Sequence, residues 1–154
     1  MEIERKFLIE KEKLPPSLDQ YPCRRIEQGY LCTDPVVRIR QEDDTYYLTY
    51  KAGGFLAREE YNLPLTKEAY AHLRLKTDGI VLAKTRYLIP EKDGLTIELD
   101  IFDEPYEGLY LAEVEFDSKE AAENYQPPFW FGEDVTYSAI YHNSNLSKGM
   151  PPGD

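Results

Sequence analysis

The sequence contains few of the side chains that most zinc and thiol-dependent sites require. Its 154 residues include two cysteines, Cys23 and Cys32, and two histidines, His72 and His142. Their spacing matches no zinc-binding pattern. Reduced thiols in a cytoplasmic protein are the ordinary state of such a pair. The sequence therefore predicts neither a zinc site nor a disulfide framework.

Long apolar runs are also missing. No stretch approaches the roughly 18 apolar residues of a membrane span, and charge begins at Glu2 with no apolar signal segment behind it. We therefore expect a cytoplasmic protein without membrane attachment.

Basic residues are outnumbered, 18 against 29 acidic ones, for a formal charge of -11. This balance argues against binding to bulk nucleic acid, so any polyanionic ligand must meet a local cluster of positive charge.

The chain length fits one domain with a core of its own. Short segments of alternating polar and apolar residues follow one another, separated by turn residues, which predicts an antiparallel sheet that closes on itself. Helices are predicted over 66–76 and 119–125, and the segment 133–146 is expected to be helical or irregular. We place the domain at residues 1–146 and expect residues 147–154 to form a disordered tail.

Charged residues recur at the period of a strand. In the first predicted strand, Glu2, Glu4 and Lys6 share one face. Later strands repeat the pattern with pairs of like charge two residues apart: Arg38 and Arg40, Lys84 and Arg86, Glu98 and Asp100, Glu113 and Glu115, with Lys51 on the face of Tyr47 and Thr49. These faces could line the inside of the closed sheet, while the apolar faces meet the outer helices. The alternative is a solvated exterior surface with cross-strand salt bridges of under about 1 kcal/mol each.

A charged interior of this kind indicates two ligands. Crowded carboxylates raise one another's pKa unless a cation lies among them, and Mg²⁺ or Mn²⁺ suits oxygen ligands. Crowded guanidinium and ammonium groups need a polyanion, and guanidinium matches phosphate oxygens with paired hydrogen bonds. A metal-bridged chain of phosphates would satisfy both groups.

With these residues in place, the chain resembles the CYTH superfamily, the triphosphate tunnel metalloenzymes. The resemblance begins with the E-x-E-x-K signature at Glu2, Glu4 and Lys6, and it extends over nearly the whole chain. It continues through the segments 28–30, 37–40, 47–51, 84–87, 98–100, 113–116, 134–136 and 141–146. The short form seen here is most similar to the inorganic triphosphatases of the superfamily.

The resemblance implies a mainly β fold of the α+β class, a closed eight-stranded antiparallel barrel with a few flanking helices. It also implies residue roles. The metal ligands would be Glu2, Glu4, Glu98, Asp100, Glu113 and Glu115. The phosphate-binding residues would be Lys6, Arg38, Arg40, Lys51, Arg58, Lys84 and Arg86. Of these residues, Lys6, Lys51 and Glu4 are the predicted catalytic ones, and Arg58 matches a looser feature together with Glu60.

The resulting functional hypothesis is metal-dependent hydrolysis of a small triphosphate, with inorganic tripolyphosphate as the first candidate and ATP and thiamine triphosphate as the others. One metal ion would bridge phosphate oxygens and a second would activate water for in-line attack on the terminal phosphorus. Two alternatives stay open: a class IV type adenylate cyclase, and a module that binds polyphosphate or nucleotide without turnover. The sequence leaves the oligomeric state undecided.

The chain departs from the family pattern near its end. Many relatives carry an acidic and then a basic residue after the position of Thr136, where this sequence has Ser138 and Ile140. If these positions touch the mouth of the tunnel, the preference among triphosphates would differ.

Overall fold

A computed structural model describes residues 1–149. Within them, eight strands form the sheet and three short α-helices flank it. The strands are β1 (Glu2–Leu8), β2 (Cys23–Thr33), β3 (Val36–Glu42), β4 (Thr45–Gly53), β5 (Ala57–Pro64), β6 (Asp78–Pro90), β7 (Thr96–Phe102) and β8 (Tyr110–Glu115). The helices are α1 (Lys67–Arg74), α2 (Lys119–Asn124) and α3 (Asn143–Leu146).

The sheet closes into a barrel in the order β1-β5-β4-β3-β2-β6-β7-β8, with every neighbouring pair antiparallel. Hairpin connections join β2 to β3, β3 to β4, β4 to β5, β6 to β7 and β7 to β8, as expected for short strands separated by turn residues. The predicted closed eight-stranded barrel is therefore confirmed.

Apolar side chains on the outside of the barrel form the larger core. Ile3 and Phe7 of β1 pack with Leu99 of β7 and Val114 of β8, and all four are buried. Helix α2 and the aromatic residues that follow it cover this surface. Because alternate residues of a strand point to opposite faces, burial of these outer faces turns the charged residues between them toward the inside.

Both larger helices begin at side-chain caps. Thr66 accepts a hydrogen bond from the backbone N–H of Ala69 at 3.0 Å, and Ser118 accepts one from Ala121 at 3.1 Å. Each hydroxyl satisfies one of the backbone donors left free in a first helical turn. Thr66 and Ser118 are therefore the N-caps of α1 and α2.

The seam between β1 and β5 is short and is completed by the segment 132–136. β1 pairs with β5 only at Glu2 and Ile3. Farther along β1, the backbone of Leu8 donates to Glu133 at 2.8 Å, and Val135 donates to Lys6 at 2.8 Å. These bonds satisfy backbone groups of β1 beyond its pairing with β5. A segment near the carboxyl end of the chain thus becomes part of the barrel wall.

The interior is not charged along its whole length. Leu82, Phe102 and Leu111 have the same strand parity as the inward charges, yet they form an apolar cluster with Val135 and Leu146. The last two residues come from the carboxyl-terminal segment. This segment therefore covers an apolar layer at one end of the barrel, and the charges occupy the remaining interior.

Ser147, where the sequence analysis placed the start of a tail, packs against the barrel. It is 1% exposed, and its carbonyl accepts a hydrogen bond from Ile80 of β6 at 2.6 Å. Of the predicted tail, residues 150–154 lie outside the described residues. Among residues 1–149, none of the helices has the length and apolar character needed to cross a membrane.

Replacement of Phe7 by alanine should destabilise the protein by about 3–5 kcal/mol, because it opens a cavity in the outer core. Phe7 is 1% exposed, and its ring centroid lies 4.8 Å from that of Phe131. Urea unfolding of the variant measures the loss. The matched control is Phe129→Ala, since Phe129 is 94% exposed and should change stability by less than about 0.5 kcal/mol. Equal effects of the two substitutions would contradict the assigned core.

Candidate active site

A cavity of about 510 Å³ lies inside the barrel. It collects eleven of the thirteen predicted site residues, namely Glu2, Glu4, Lys6, Arg38, Arg40, Lys51, Arg58, Arg86, Glu98, Glu113 and Glu115. Two predicted residues, Lys84 and Asp100, do not line it. The structure therefore brings most of the charged pattern of the sequence to one internal surface, and the alternative of an exterior charged face is not what the barrel presents.

Most side chains of the two signs occupy different walls; the exceptions in the cavity lining are Lys6 on β1, Glu42 on β3, and Arg58 and Glu60 on β5. Carboxylates come from β7, β8 and β1, which are consecutive in the barrel, and strand pairing places Glu4 opposite Glu115 and Glu98 opposite Glu113. We call this the acidic wall. Basic side chains come from the consecutive strands β4, β3, β2 and β6, and we call this the basic wall. A linear polyanion lying between the walls would meet cations on one side and carboxylates on the other.

Lys84 and Asp100 form the most deeply buried ion pair among residues 1–149, outside the lining of the cavity. Both are 0% exposed, and Lys84 Nζ lies 2.7 Å from an Asp100 oxygen. Arg86 donates to both oxygens of Asp100, at 2.7 and 2.9 Å. Burial opposes ionisation of Asp100, but Arg86 and Lys84 outweigh it and hold its pKa below the ordinary value. Asp100 therefore serves to fix two cations, and its oxygens are already occupied.

Several carboxylates of the acidic wall also have basic partners. Lys51 Nζ lies 2.8 Å from Glu2, and Lys6 Nζ lies 3.5 Å from Glu113. Burial raises the pKa of Glu113, but the charges of Lys6 and Arg86 reverse the shift and bring it well below the ordinary value. Glu113 thus stays ionised inside the barrel.

Glu4 differs from Glu2 and Glu113, which have basic partners. Within residues 1–149 no basic side chain lies within 4.0 Å of its carboxylate. Burial, followed by the charges of Glu113 and Glu2, raises the pKa of Glu4 well above its ordinary value. A carboxylate in this environment gains most from a bound cation, because the cation removes both the burial cost and the repulsion.

The donor chemistry of the acidic wall fits a hard divalent ion. Glu4 and the facing Glu115 supply oxygen atoms, the ligands that Mg²⁺ and Mn²⁺ prefer. Within the described part of the chain, no three acidic, histidine or cysteine side chains are already gathered around one point. Several candidate ligands are held by basic partners instead, so a metal ion would compete with the pairs of Glu2 and Glu113.

The carboxyl-terminal segment contributes cavity residues that are not among the predicted site residues. Thr136, His142 and Asn143 line the cavity together with Phe55 of the β4–β5 turn. The rings of Phe55 and His142 are 5.1 Å apart. Period-two alternation could not find these residues, since they lie in turns and short helices. The sequence signal that exists is the Asp134-Val-Thr136 and His142-Asn143 portion of the family resemblance.

The segment is also tied to the first strand. The backbone N–H of Lys6 donates to Thr136 Oγ1 at 3.0 Å, and its ammonium group donates to the carbonyl of Tyr141 at 3.2 Å. Among the described residues that line the cavity, Ser138 and Ile140 are absent. The two departures from the family pattern therefore do not face the charged interior.

The fold and the cavity place this protein among closed antiparallel barrels that enclose a charged binding site. The family comparison is more specific, because residues 1–148 match the CYTH domain. The chain belongs to this family, which confirms the resemblance found in the sequence. CYTH triphosphatases are metal-dependent as a family.

Two curated relatives extend over almost the full chain. An inorganic triphosphatase of Nitrosomonas europaea is 40% identical over 154 residues, which cover 97% of this chain and 99% of that protein. An inorganic triphosphatase of Acetivibrio thermocellus is 36% identical over 152 residues, covering 96% and 93% of the two chains. The predicted enzyme class, a hydrolase of phosphoanhydride bonds, agrees with the names of both proteins.

Solved structures show the same fold. A crystal structure of an inorganic triphosphatase matches with a TM-score of 0.71 at 36% identity, covering 98% of this chain and 97% of that one. A Hippeastrum protein described as an adenylyl cyclase with a dominant triphosphatase activity matches with a TM-score of 0.59 over 80% of this chain and 83% of its own. At 16% identity, the second similarity concerns the fold alone.

Substitution of His142 should change how stability depends on pH. Burial, followed by the charges of Lys6 and Arg58, lowers the pKa of His142 to about 4. The unfolded chain, with a histidine pKa near 6.5, then binds more protons than the folded chain between about pH 6.5 and 4. The wild-type protein should lose stability from this residue as the pH falls through that window.

Urea unfolding between pH 7.5 and 4 in chelator tests this expectation. The variant His142→Gln should show a flatter loss than wild type below about pH 6.5. The control is His72→Gln on the exposed side of α1, which should follow the wild-type slope. A His142→Gln protein with the wild-type slope would contradict the assignment of a half-buried, neutral histidine beside the site.

Proposed function

We propose that this protein is a divalent-metal-dependent triphosphatase that hydrolyses inorganic tripolyphosphate. The observation that carries the proposal is the pair of opposed charged walls around one internal cavity. The names of two relatives that match nearly the whole chain support the same activity. A linear triphosphate is the simplest ligand that presents phosphate oxygens to the basic wall and to a cation on the acidic wall at the same time.

The basic wall binds and orients the substrate. Arg38, Arg40 and Arg86 come from β3 and β6, and Lys51 comes from β4. Guanidinium groups donate paired hydrogen bonds to phosphate oxygens, while lysine acts as a compact charge. Since these groups are already fixed by neighbouring side chains, little ordering is needed when the substrate enters.

The acidic wall would hold Mg²⁺ or Mn²⁺ through Glu4 and Glu115, with Glu2, Glu98 and Glu113 as further oxygen donors. A bound ion of this kind supplies Lewis-acid polarisation of phosphate oxygens and lowers the pKa of a bound water. Glu4 is the first ligand in this proposal, because desolvation and the charges of Glu113 and Glu2 raise its pKa well above the ordinary value, and among residues 1–149 no basic side chain lies within 4.0 Å of it.

The reaction is in-line attack of water on the terminal phosphorus. The new bond forms between the water oxygen and phosphorus, and the bridging P–O bond breaks, releasing orthophosphate and pyrophosphate. Negative charge increases on the departing bridging oxygen. Lys6 is placed to stabilise developing charge, since it lies in the cavity beside Glu113 and is held by the Tyr141 carbonyl. Lys51 is proposed to assist from the neighbouring part of the basic wall.

Phosphate release from tripolyphosphate, ATP and thiamine triphosphate tests the proposal, each with Mg²⁺, Mn²⁺ or chelator. We expect metal-dependent release that is fastest with tripolyphosphate. Cyclic AMP formed from ATP would instead identify a cyclase, and tight tripolyphosphate binding by folded protein without any product would identify a binding module. Undiminished turnover in chelator would exclude the metal-dependent scheme.

Lys6→Ala should lower the rate of tripolyphosphate hydrolysis by about a hundredfold or more, because it removes a positioned charge from the site. Steady-state phosphate release with saturating metal measures the effect. Lys13→Ala is the matched control, since Lys13 is exposed on a turn outside the barrel and should retain activity within about twofold of wild type. Equal activity of the two variants would remove Lys6 from the proposed mechanism.

A further inference from the structure

The basic side chains of the cavity differ in what holds them. Lys51 is 2.8 Å from the carboxylate of Glu2, and Arg86 forms two hydrogen bonds with that of Asp100. In these pairs the partner that fixes the cation also cancels much of its charge. Two arginines of β3 are held differently, through neutral side chains.

Arg40 is fixed by an amide. Its Nε and Nη2 both donate to the side-chain oxygen of Gln28, Nε at 2.9 Å and Nη2 at 2.5 Å. Gln28 is 0% exposed, and its own amide nitrogen lies 3.4 Å from the Tyr30 hydroxyl. The remaining nitrogen of Arg40 lies 3.7 Å from Glu42, a carboxylate that Arg24 approaches more closely at 3.3 Å. The closest contacts of Arg40 are therefore uncharged.

Arg38 is fixed by a hydroxyl. Its Nη2 donates to Thr49 Oγ1 at 3.1 Å, and that hydroxyl donates to the Asn62 side chain at 2.5 Å. Within residues 1–149, no carboxylate lies within 4.0 Å of the guanidinium, and its buried Nε has no hydrogen-bond partner. Arg38 is nevertheless only 6% exposed. A buried donor without a partner costs free energy, so the arrangement gains from an incoming acceptor.

Two like charges two residues apart in a buried wall repel each other. Burial, followed by the charge of Arg40, lowers the pKa of Arg38 from its ordinary value. A carboxylate at position 28 would relieve this repulsion with nearly the same side-chain shape. The amide keeps the hydrogen bonds and leaves the positive charge available to a ligand.

We propose that Gln28 and Thr49 are positioning residues that hold Arg40 and Arg38 without neutralising them, so that this pair binds the phosphates of a linear polyphosphate before a metal ion is present. The inference rests on the proposed triphosphatase function and adds an order of binding to it. The ion pairs of Lys51 and Arg86 would then provide rigidity, while Arg38 and Arg40 provide the first attraction for the anion.

The substitution Gln28→Glu gives residue 28 a negative charge with almost no change in shape. It keeps an oxygen atom that can accept the hydrogen bonds of Arg40, so it tests the neutrality of residue 28 alone. Calorimetric titration of tripolyphosphate into protein in EDTA should show about tenfold weaker binding than wild type. The melting temperature of the free protein should not fall. With saturating metal, KM should rise by a similar factor while kcat stays within about threefold, a split that a general structural defect would not produce.

Gln41→Glu is the matched control. Gln41 is the next residue of β3 after Arg40, so it faces outward, and the same added charge there should leave metal-free binding within about twofold of wild type. A Gln28→Glu protein that binds tripolyphosphate as tightly as wild type would overturn the role of a neutral partner. Equal weakening by both substitutions would also overturn it.

Position 49 gives a second test that does not depend on the folding of the Gln28 variant. Thr49→Ser keeps the hydroxyl and should bind tripolyphosphate like wild type, whereas Thr49→Val removes it and should bind about threefold to tenfold more weakly in EDTA. Identical binding by the two would overturn the positioning role of Thr49.

The order of binding has its own test. Absence of metal-free binding by wild-type protein that still releases phosphate with metal would refute the proposed order and leave the triphosphatase function intact. Metal-free binding by wild-type protein that never turns over would instead reject the function and retain the anion site.

Discussion

Repulsion between like charges enclosed in one sheet is the constraint on which this structure depends. Carboxylates on β7, β8 and β1 face basic residues on β4, β3, β2 and β6, so each wall lowers the cost of burying the other. Pairs such as Lys51 with Glu2 satisfy that requirement within the protein. Glu4 and Arg38 do not have such partners among the described residues, and they mark where a cation and an anion would be most favourable.

Much of this organisation was predictable because strand periodicity determines which face a side chain occupies. The spacing of Arg38 and Arg40 predicts that they share one face of β3, and the barrel turns that face inward. Periodicity does not determine depth along the barrel. Lys84 and Asp100 have the correct parity, yet they do not line the cavity, and Lys84 lies over the ring of Phe102 in the apolar layer that long-range contacts create. The alternation of strand residues could not predict that His142 lines the cavity, because His142 lies outside the alternating segments.

The site combines rigidity with unsatisfied charge. Asp100 binds Lys84 and Arg86 so closely that these three residues form a buried ionic base for the basic wall. On the same wall, Gln28 and Thr49 restrict Arg40 and Arg38 through neutral contacts. Buried arginines without a charged partner reduce the stability of the free protein. Binding of an anionic ligand returns part of that free energy. Stability and recognition are therefore served by different members of one charged pattern.

The contact of Lys6 with Thr136 and Tyr141 joins residues about 130 positions apart in the chain. During synthesis, a chain that has emerged through β8 contains all eight strands but still lacks the segment that lies along β1 and covers the apolar layer. Closure requires contacts between distant parts of the chain, which form slowly relative to local ones. The barrel wall is thus complete only when the segment 132–147 has left the ribosome.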